Sequence, residues 1–154
     1  MKLALGADHG GASQKESLFA QLTSQGYEVV DFGAGCADGA VDYPDYALAV
    51  ARAVAAGEAD FGILICGTGI GMAMAANKVA GIRAATVTDV TTAYLARQHN
   101  NANILCLSGR FTPPDINLEI VDAFLGAQFE GGRHQRRLDK IAEAENQRNH
   151  GKQE

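Results

Sequence analysis

The chain has 154 residues, 47% of them hydrophobic and 20% charged, with a formal net charge of -5 at pH 7, which is typical of one globular domain with a real core. The acidic balance argues against a general nucleic-acid partner, which would require a basic patch. Three cysteines without a CxxC pair, no preceding signal peptide and no apolar stretch of membrane-spanning length predict a cytoplasmic protein with no membrane partner.

Short apolar runs alternate with helical patterns along the chain. The first half predicts strands at 2–7, 27–32 and 61–66, with helices at 12–25 and 46–56. The second half predicts helices at 70–80, 90–98 and 116–125, strands at 82–87 and 103–108, and a last amphipathic helix at 135–147. We therefore expect one domain at 1–149, followed by a polar tail at 150–154 that frays.

The regular alternation predicts an α/β fold, a Rossmann-like three-layer sandwich. Its five-stranded parallel sheet carries helices on both faces, and an extra helix follows at the C-terminus. The strands are almost continuously apolar, as expected when both faces of a sheet are buried. Functional residues should then cluster in the loops after the first, third, fourth and fifth strands, where such sheets place their ligands.

The strongest chemical signal follows the third predicted strand, which ends at Cys66. The turn Gly67–Gly71 lets backbone N–H groups converge on an anion, helped by the positive end of the next helix. The same surroundings stabilise a thiolate. This pattern indicates proton-abstraction or acyl chemistry on a small anionic substrate, although a cysteine in this place can also be a small inert core residue.

The glycine turn does not fit the common nucleotide motifs. Its third glycine comes too early for the dinucleotide fingerprint, the turn follows the third strand instead of the first, and no Walker A lysine is present. Thr68 can donate a hydrogen bond to the Cys66 thiolate or cap the helix, and the two roles are compatible. No motif for a metal or a redox cofactor is present in the sequence, so we expect neither.

An acid and a histidine occupy the first strand-to-helix turn, in the run Asp8-His9-Gly10-Gly11. Asp8 would repel a pyrophosphate, which again argues against a nucleotide site. Asp8 can instead serve the helix N-terminus. His9 has no obvious structural role, which favours a polar contact to a substrate.

Basic residues appear in the second half of the chain. His99 and Asn100 end a helix, where His99 is either a helix cap or a functional group. Arg110 follows the fifth strand, on the expected site face, where a guanidinium can bind phosphate. Arg133 and Arg137 share one helix face, which suits a dianionic phosphate, although a solvated basic helix is the alternative.

Taken together, these residues resemble the ribose-5-phosphate isomerase type B family, which also contains galactose-6-phosphate, allose-6-phosphate and erythrulose-4-phosphate isomerases. The resemblance covers nearly the whole chain. It is carried by Asp8-His9-Gly10, Asp42-Tyr43-Pro44, Cys66-Gly67-Thr68-Gly69-Ile70-Gly71, Ala75-Ala76-Asn77-Lys78, Arg97-Gln98-His99-Asn100 and Glu130-Gly131-Gly132-Arg133-His134.

The resemblance implies an aldose–ketose isomerase that interconverts ribose 5-phosphate and ribulose 5-phosphate through a cis-enediolate. Cys66 would be the base, His99 would open the sugar ring, and Thr68 would assist catalysis. The implied substrate-binding residues are Asp8, His9, Tyr43, Gly67, Thr68, Gly69, Ile70, Gly71, Asn100, Arg110, Arg133 and Arg137.

The resemblance also has implications for the oligomeric state and for cofactors. We expect a homodimer, or a dimer of dimers, with the C-terminal segment across the interface and no cofactor. Two alternatives stay open: the same chemistry on another sugar phosphate, and a non-catalytic module that binds a nucleotide or a sugar phosphate.

Overall fold

The computed structural model describes residues 1–151. They contain a five-stranded, entirely parallel sheet with the strand order β2-β1-β3-β5-β4. The strands are β1 (Lys2–Ala7), β2 (Glu28–Asp31), β3 (Phe61–Cys66), β4 (Ala84–Thr86) and β5 (Ile104–Ser108). The chain switches direction across the sheet between β1 and β3, so a ligand crevice is expected at the carboxyl ends of these two strands.

Helices cover both faces of this sheet. They are α1 (Ala12–Ser24), α2 (Tyr43–Ala55), α3 (Ile70–Ala76), α4 (Val90–Gln98), α5 (Pro114–Gly126) and α6 (Arg133–His150), and a short 3₁₀ turn lies at Cys36–Asp38. One core lies between the sheet and α1, α4 and α5, and a second lies between the sheet and α2 and α3. The predicted α/β sandwich with an additional C-terminal helix is confirmed.

Successive residues of each strand serve opposite cores. In β3, Ile63 and Ile65 enter the core under α1, α4 and α5, whereas Leu64 and Cys66 enter the core under α2 and α3. This alternation follows from the period of two along a strand. It explains why β3 is apolar throughout and why its last side chain, a thiol, faces α3.

Two helix boundaries differ from the sequence prediction for identifiable reasons. Helix α2 begins at Tyr43, three residues early, because Pro44 is well tolerated in a first helical turn. Helix α3 ends at Ala76 because the Asn77 amide bonds both the N–H and the carbonyl of Ala84, at 2.8 and 2.9 Å, and turns the chain toward β4.

The C-terminal helix is longer than the periodicity predicted. It begins at Arg133 and includes His150, so it enters the segment expected to fray. Residues 152–154 of that tail lie outside the described residues. Within residues 1–151, no helix combines the length and the apolar character needed to cross a bilayer.

The direction of the helices decides where the loops lie. A helix that connects two parallel strands runs back from the carboxyl edge of the sheet to the amino edge. Helix α4 therefore starts beyond β4 and ends at the amino edge, just before β5. Helix α6 lies along the same edge, where Glu145 accepts a hydrogen bond of 3.1 Å from the Gly81 N–H, in the loop that precedes β4.

Candidate active site

The thiol of Cys66 lies at the carboxyl end of β3 and is 5% exposed. Its Sγ accepts a hydrogen bond from the Gly69 N–H at 3.1 Å. Gly69 has a φ of 80°, a left-handed conformation that glycine adopts without strain, and α3 begins directly after it. The turn therefore supplies a backbone donor directly to the sulfur.

Thr68 takes the capping role that the sequence left open. Its Oγ1 accepts a hydrogen bond of 3.3 Å from the Ile70 N–H at the start of α3. Among the described residues, the hydrogen bond to the Cys66 sulfur comes from the Gly69 backbone and not from the Thr68 hydroxyl. The Thr68 hydrogen remains available for another acceptor.

The other two cysteines differ from Cys66 in surroundings. Cys106 is completely buried, and its burial, with the neighbouring Cys66, raises the pKa of its thiol. Cys36 is exposed, and its hydrogen bond to Glu16 raises the pKa of its thiol. Both effects favour the protonated form of these two thiols.

The loops after β1, β3 and β5 touch one another through glycines. The Gly109 N–H donates to the Cys66 carbonyl at 2.7 Å. A Cβ on Gly109 would collide with the Gly10 carbonyl oxygen, and a Cβ on Gly11 would collide with the Ile65 carbonyl. Side chains are excluded from these contacts, so the loops pack main chain against main chain.

Two side chains flank the glycine turn. The Arg110 guanidinium lies against Gly67, since a Cβ there would be 3.2 Å from Nη1, and the Arg110 N–H donates to the Gly67 carbonyl at 3.2 Å. The ring of Tyr43 packs on Gly71, where a Cβ would be 2.6 Å from Cζ. A positive charge and an aromatic ring therefore border the turn that holds the thiol.

Asp8 and His9 complete this edge of the sheet. Asp8 is 8% exposed and its Oδ1 accepts the Gly10 N–H at 2.8 Å, while Gly11 caps α1. His9 is exposed, and its Nδ1 accepts the Val41 N–H at 3.2 Å. In a neutral imidazole the proton must then lie on Nε2, which can donate to a ligand. The Val41 amide is thus a structural partner of His9 that the sequence did not indicate.

We call this group of side chains and amides the thiol cluster. It consists of Asp8, His9, Tyr43, Cys66–Gly71 and Arg110. The structure brings all of these predicted residues together at one edge of the sheet, because they follow neighbouring strands or pack on the glycine turn. All but Tyr43, which lies between β2 and α2, belong to the loops or helix start in which the strand pattern predicted functional residues.

The remaining predicted residues form a second group at the amino edge of the sheet. His99 caps the end of α4, and its ring stacks on that of His134, with centroids 4.3 Å apart and planes at 12°. Glu130 Oε2 lies 3.7 Å from His99 Nε2 and 3.3 Å from His134 Nε2. The histidine cluster, as we name it, consists of His99, Asn100, Glu130, Arg133, His134 and Arg137.

Main-chain and side-chain bonds hold the histidine cluster in place. The Glu130 N–H donates to the Gln98 carbonyl at 3.0 Å, which joins the segment before α6 to the end of α4. Nη1 of Arg97 donates to the Asn101 side chain and the Ala102 carbonyl, both at 2.8 Å. Arg133 and Arg137 are exposed on successive turns of α6.

His134 and Glu130 are additions to the candidate site. Burial lowers the pKa of His134, the charges near it on Arg133 and His99 act in the same direction, and Glu130 opposes them in part. The motif Glu130–His134 was visible in the sequence. Its contact with His99 was not, because 30 intervening residues, which include β5 and α5, separate the segments.

The two clusters are far apart in one chain. The loops after β1, β3 and β5 carry the thiol cluster, whereas His99 precedes β5 and α6 lies beside the loop before β4. The six residues of β3 alone span about 20 Å between these edges. Of the predicted site residues, His99, Asn100, Arg133 and Arg137 therefore do not lie in loops that follow strands.

Known proteins match the chain over almost all of its length. Residues 3–141 match the family described as ribose/galactose isomerase. Ribose-5-phosphate isomerase B of Escherichia coli K12 is 49% identical over 148 residues, which cover 96% of this chain and 99% of that protein.

Two solved structures show the same fold at high identity. Ribose-5-phosphate isomerase B of Clostridium thermocellum has a TM-score of 0.93 at 51% identity, covering 96% of this chain and 99% of that one. The Mycoplasma genitalium enzyme of the same name, with bound ribulose-5-phosphate, has a TM-score of 0.90 at 51% identity, covering 94% and 96%.

Proposed function

This chain belongs to the ribose/galactose isomerase family and is an isomerase, and on that premise we propose that it interconverts ribose 5-phosphate and ribulose 5-phosphate. The reaction moves one proton between C1 and C2 and a second between the two oxygens, through a cis-enediolate. The observation that carries the proposal is the Cys66 sulfur, which lies at a strand end and accepts the Gly69 N–H of a glycine turn.

Cys66 is the base for the carbon-bound proton in this proposal. As a thiolate it removes the proton from C2 of the aldose and returns it to C1, which gives the ketose. Negative charge develops on the substrate oxygens in the enediolate. The amide groups of Gly67–Gly71 lie beside the sulfur and are suited to stabilise that charge without reorganisation.

His99 serves ring opening. Ribose 5-phosphate is a furanose ring in solution, and its opening requires a proton transfer at the ring oxygen. Ribulose 5-phosphate cannot form such a ring, because its O5 carries the phosphate. His99 lies on a different cluster from Cys66, which fits a step that is chemically separate from carbon proton transfer.

The remaining predicted residues bind and orient the sugar phosphate. Arg110, Arg133 and Arg137 supply guanidinium groups for the phosphate dianion. His9 Nε2–H donates to a substrate oxygen, since the Val41 N–H occupies Nδ1. Fixing the phosphate in this way lowers the entropic part of the barrier.

A complete site then requires two subunits. Because one chain holds Cys66 and His99 at opposite edges of the sheet, we infer a homodimer in which the thiol cluster of one protomer faces the histidine cluster of its partner. Exposed apolar side chains support this inference, since Ile70 and Met74 on α3 are 52% and 63% exposed and Ile141 on α6 is 60% exposed. The dimer can pair further into a dimer of dimers.

Mixed subunits test the shared site. Cys66→Ala and His99→Asn chains, each strongly impaired in ribose 5-phosphate turnover alone, are unfolded together, refolded and checked for mixed dimers by native mass spectrometry. If the site is shared, each mixed dimer has one intact site, and random pairing restores about a quarter of the wild-type activity. Mixed dimers without activity would mean that both residues act within one chain.

The identity of the sugar is tested by kcat/KM on four substrates. The kcat/KM for ribose 5-phosphate should exceed the values for erythrulose 4-phosphate, allose 6-phosphate and galactose 6-phosphate. A higher kcat/KM for one of the other three would identify that sugar phosphate as the substrate and leave the proposed chemistry unchanged. The absence of turnover on all four, with binding retained, would indicate a non-catalytic module.

A further inference from the structure

The histidine cluster contains three side chains of the kinds that bind transition metal ions. One ligand atom from each of His99, Glu130 and His134 lies within 4.8 Å of the other two. Glu130 Oε2 is 3.3 Å from His134 Nε2 and 3.7 Å from His99 Nε2. In a tetrahedral zinc site with bonds of about 2.0–2.1 Å, neighbouring ligand atoms lie about 3.3 Å apart. Two of the three spacings are therefore already close to those of a zinc site.

A second, independent observation, the buried Nε2 atom of His134, also indicates a metal site. The His134 side chain is 6% exposed, and its buried Nε2 makes no hydrogen bond among the described residues, although Glu130 Oε2 lies 3.3 Å away. A buried polar atom left without a partner is costly. A metal ion beside Glu130 would satisfy that nitrogen.

From this geometry we propose that His99, Glu130 and His134 form a binding site for a divalent transition metal ion, best fitted by Zn²⁺, which inhibits the enzyme when bound. Two imidazoles and one carboxylate leave a fourth position for water. Nitrogen ligands favour zinc, cobalt and nickel over magnesium and calcium. Because the two rings are stacked, one of them turns when both Nε2 atoms bind a single ion.

The charges around the cluster affect how tightly the ion binds. Arg133 adjoins His134 and weakens the attraction for a cation. The site is therefore suited to reversible occupation by a metal ion and not to a permanently bound structural one.

Inhibition follows from the proposed function and rests on it. A metal ion bound through His99 Nε2 removes that atom from proton transfer to the ring oxygen. The metal-binding step does not depend on the reaction, so the two claims are tested separately.

The first experiment measures metal binding without turnover. A Cys36→Ser/Cys66→Ala chain, which lacks the exposed thiol and the site thiol, is titrated with Zn²⁺ by calorimetry and with Co²⁺ by visible absorption. We expect one ion per chain and a cobalt spectrum of four-coordinate nitrogen and oxygen ligands. His134→Ala in the same background should weaken binding at least tenfold, whereas His150→Ala, which changes a histidine outside the cluster, should not.

Equal Zn²⁺ affinity in the His134→Ala and His150→Ala chains would show that the histidine cluster does not bind the ion.

The second experiment measures ribose 5-phosphate isomerisation by the Cys36→Ser enzyme in zinc buffers, with each variant compared with its own metal-free rate. His134→Ala should require at least tenfold more Zn²⁺ for half inhibition. Binding at the cluster without inhibition would overturn the inhibitory role, and a metal-free enzyme without turnover would instead overturn the proposed function.

Discussion

The thiol cluster is built mainly by the main chain, whereas the histidine cluster is built mainly by side chains. Amides of Gly69, Gly10 and Val41 donate to Cys66, Asp8 and His9, respectively. The histidine cluster instead depends on stacked rings and on a carboxylate oxygen near the Nε2 atoms of both. The first arrangement follows from strand ends and glycine turns, and the second depends on which side chains happen to meet when α4 and α6 pack together.

This difference has a consequence for mutation. A change of side chain in the thiol cluster should alter the chemistry and leave the positions of its neighbours largely intact, because glycine contacts between loops hold the crevice. A change in the histidine cluster should disturb its neighbours as well, since each ring or carboxylate positions the next. The three predictions below test that distinction, beginning with the largest effect.

Replacing the thiol should have the largest effect. Cys66→Ala should lower kcat for ribose 5-phosphate by about a thousandfold, because the carbon-proton base is lost. Binding of ribulose 5-phosphate, measured by calorimetry, should change little, since the amides and Arg110 remain. Cys36→Ser, which changes the exposed thiol, is the control and should be fully active. A Cys66→Ala enzyme with near-normal kcat would disprove the assignment of the base.

Replacing the ring-opening histidine should separate the two chemical steps. His99→Asn should lower turnover of ribose 5-phosphate by about a hundredfold, because the acid at the ring oxygen is lost. Incorporation of solvent deuterium at C1 of the open-chain ribulose 5-phosphate should continue, since it needs only the Cys66 base. Cys66→Ala should lose both reactions. Equal loss of turnover and exchange in His99→Asn would contradict the ring-opening role.

The smallest effect should come from a backbone donor. Val41→Pro removes the N–H that fixes the His9 tautomer and should raise KM about three- to tenfold, with kcat nearly unchanged. Val41→Ala keeps the N–H and serves as the control. Nitrogen-15 NMR should show the His9 proton on Nε2 in wild type and Val41→Ala and shared between both nitrogens in Val41→Pro. Equal populations of the two His9 tautomers in the wild type would show that the Val41 N–H does not fix the tautomer.

The order and type of the elements could be predicted because each strand and helix carries its own local pattern. The bounds of β1, β3 and α4 agree with the prediction, as these segments have unbroken periodicity and clear turn residues at their ends. The end of α3 was placed four residues too late. The alanine-rich pattern permits a longer helix, and it is the Asn77 contact with Ala84 that ends it.

The sequence alone determined the alternation of strands and helices and the position of Cys66 before a glycine turn, because these depend on neighbours within a few residues. Only the tertiary structure decided which distant residues meet. It placed His134 against His99, Arg110 against Gly67 and the Val41 amide against His9. It also placed Cys66 and His99 at opposite edges, because a crossover helix must run back along the sheet before the next parallel strand can begin.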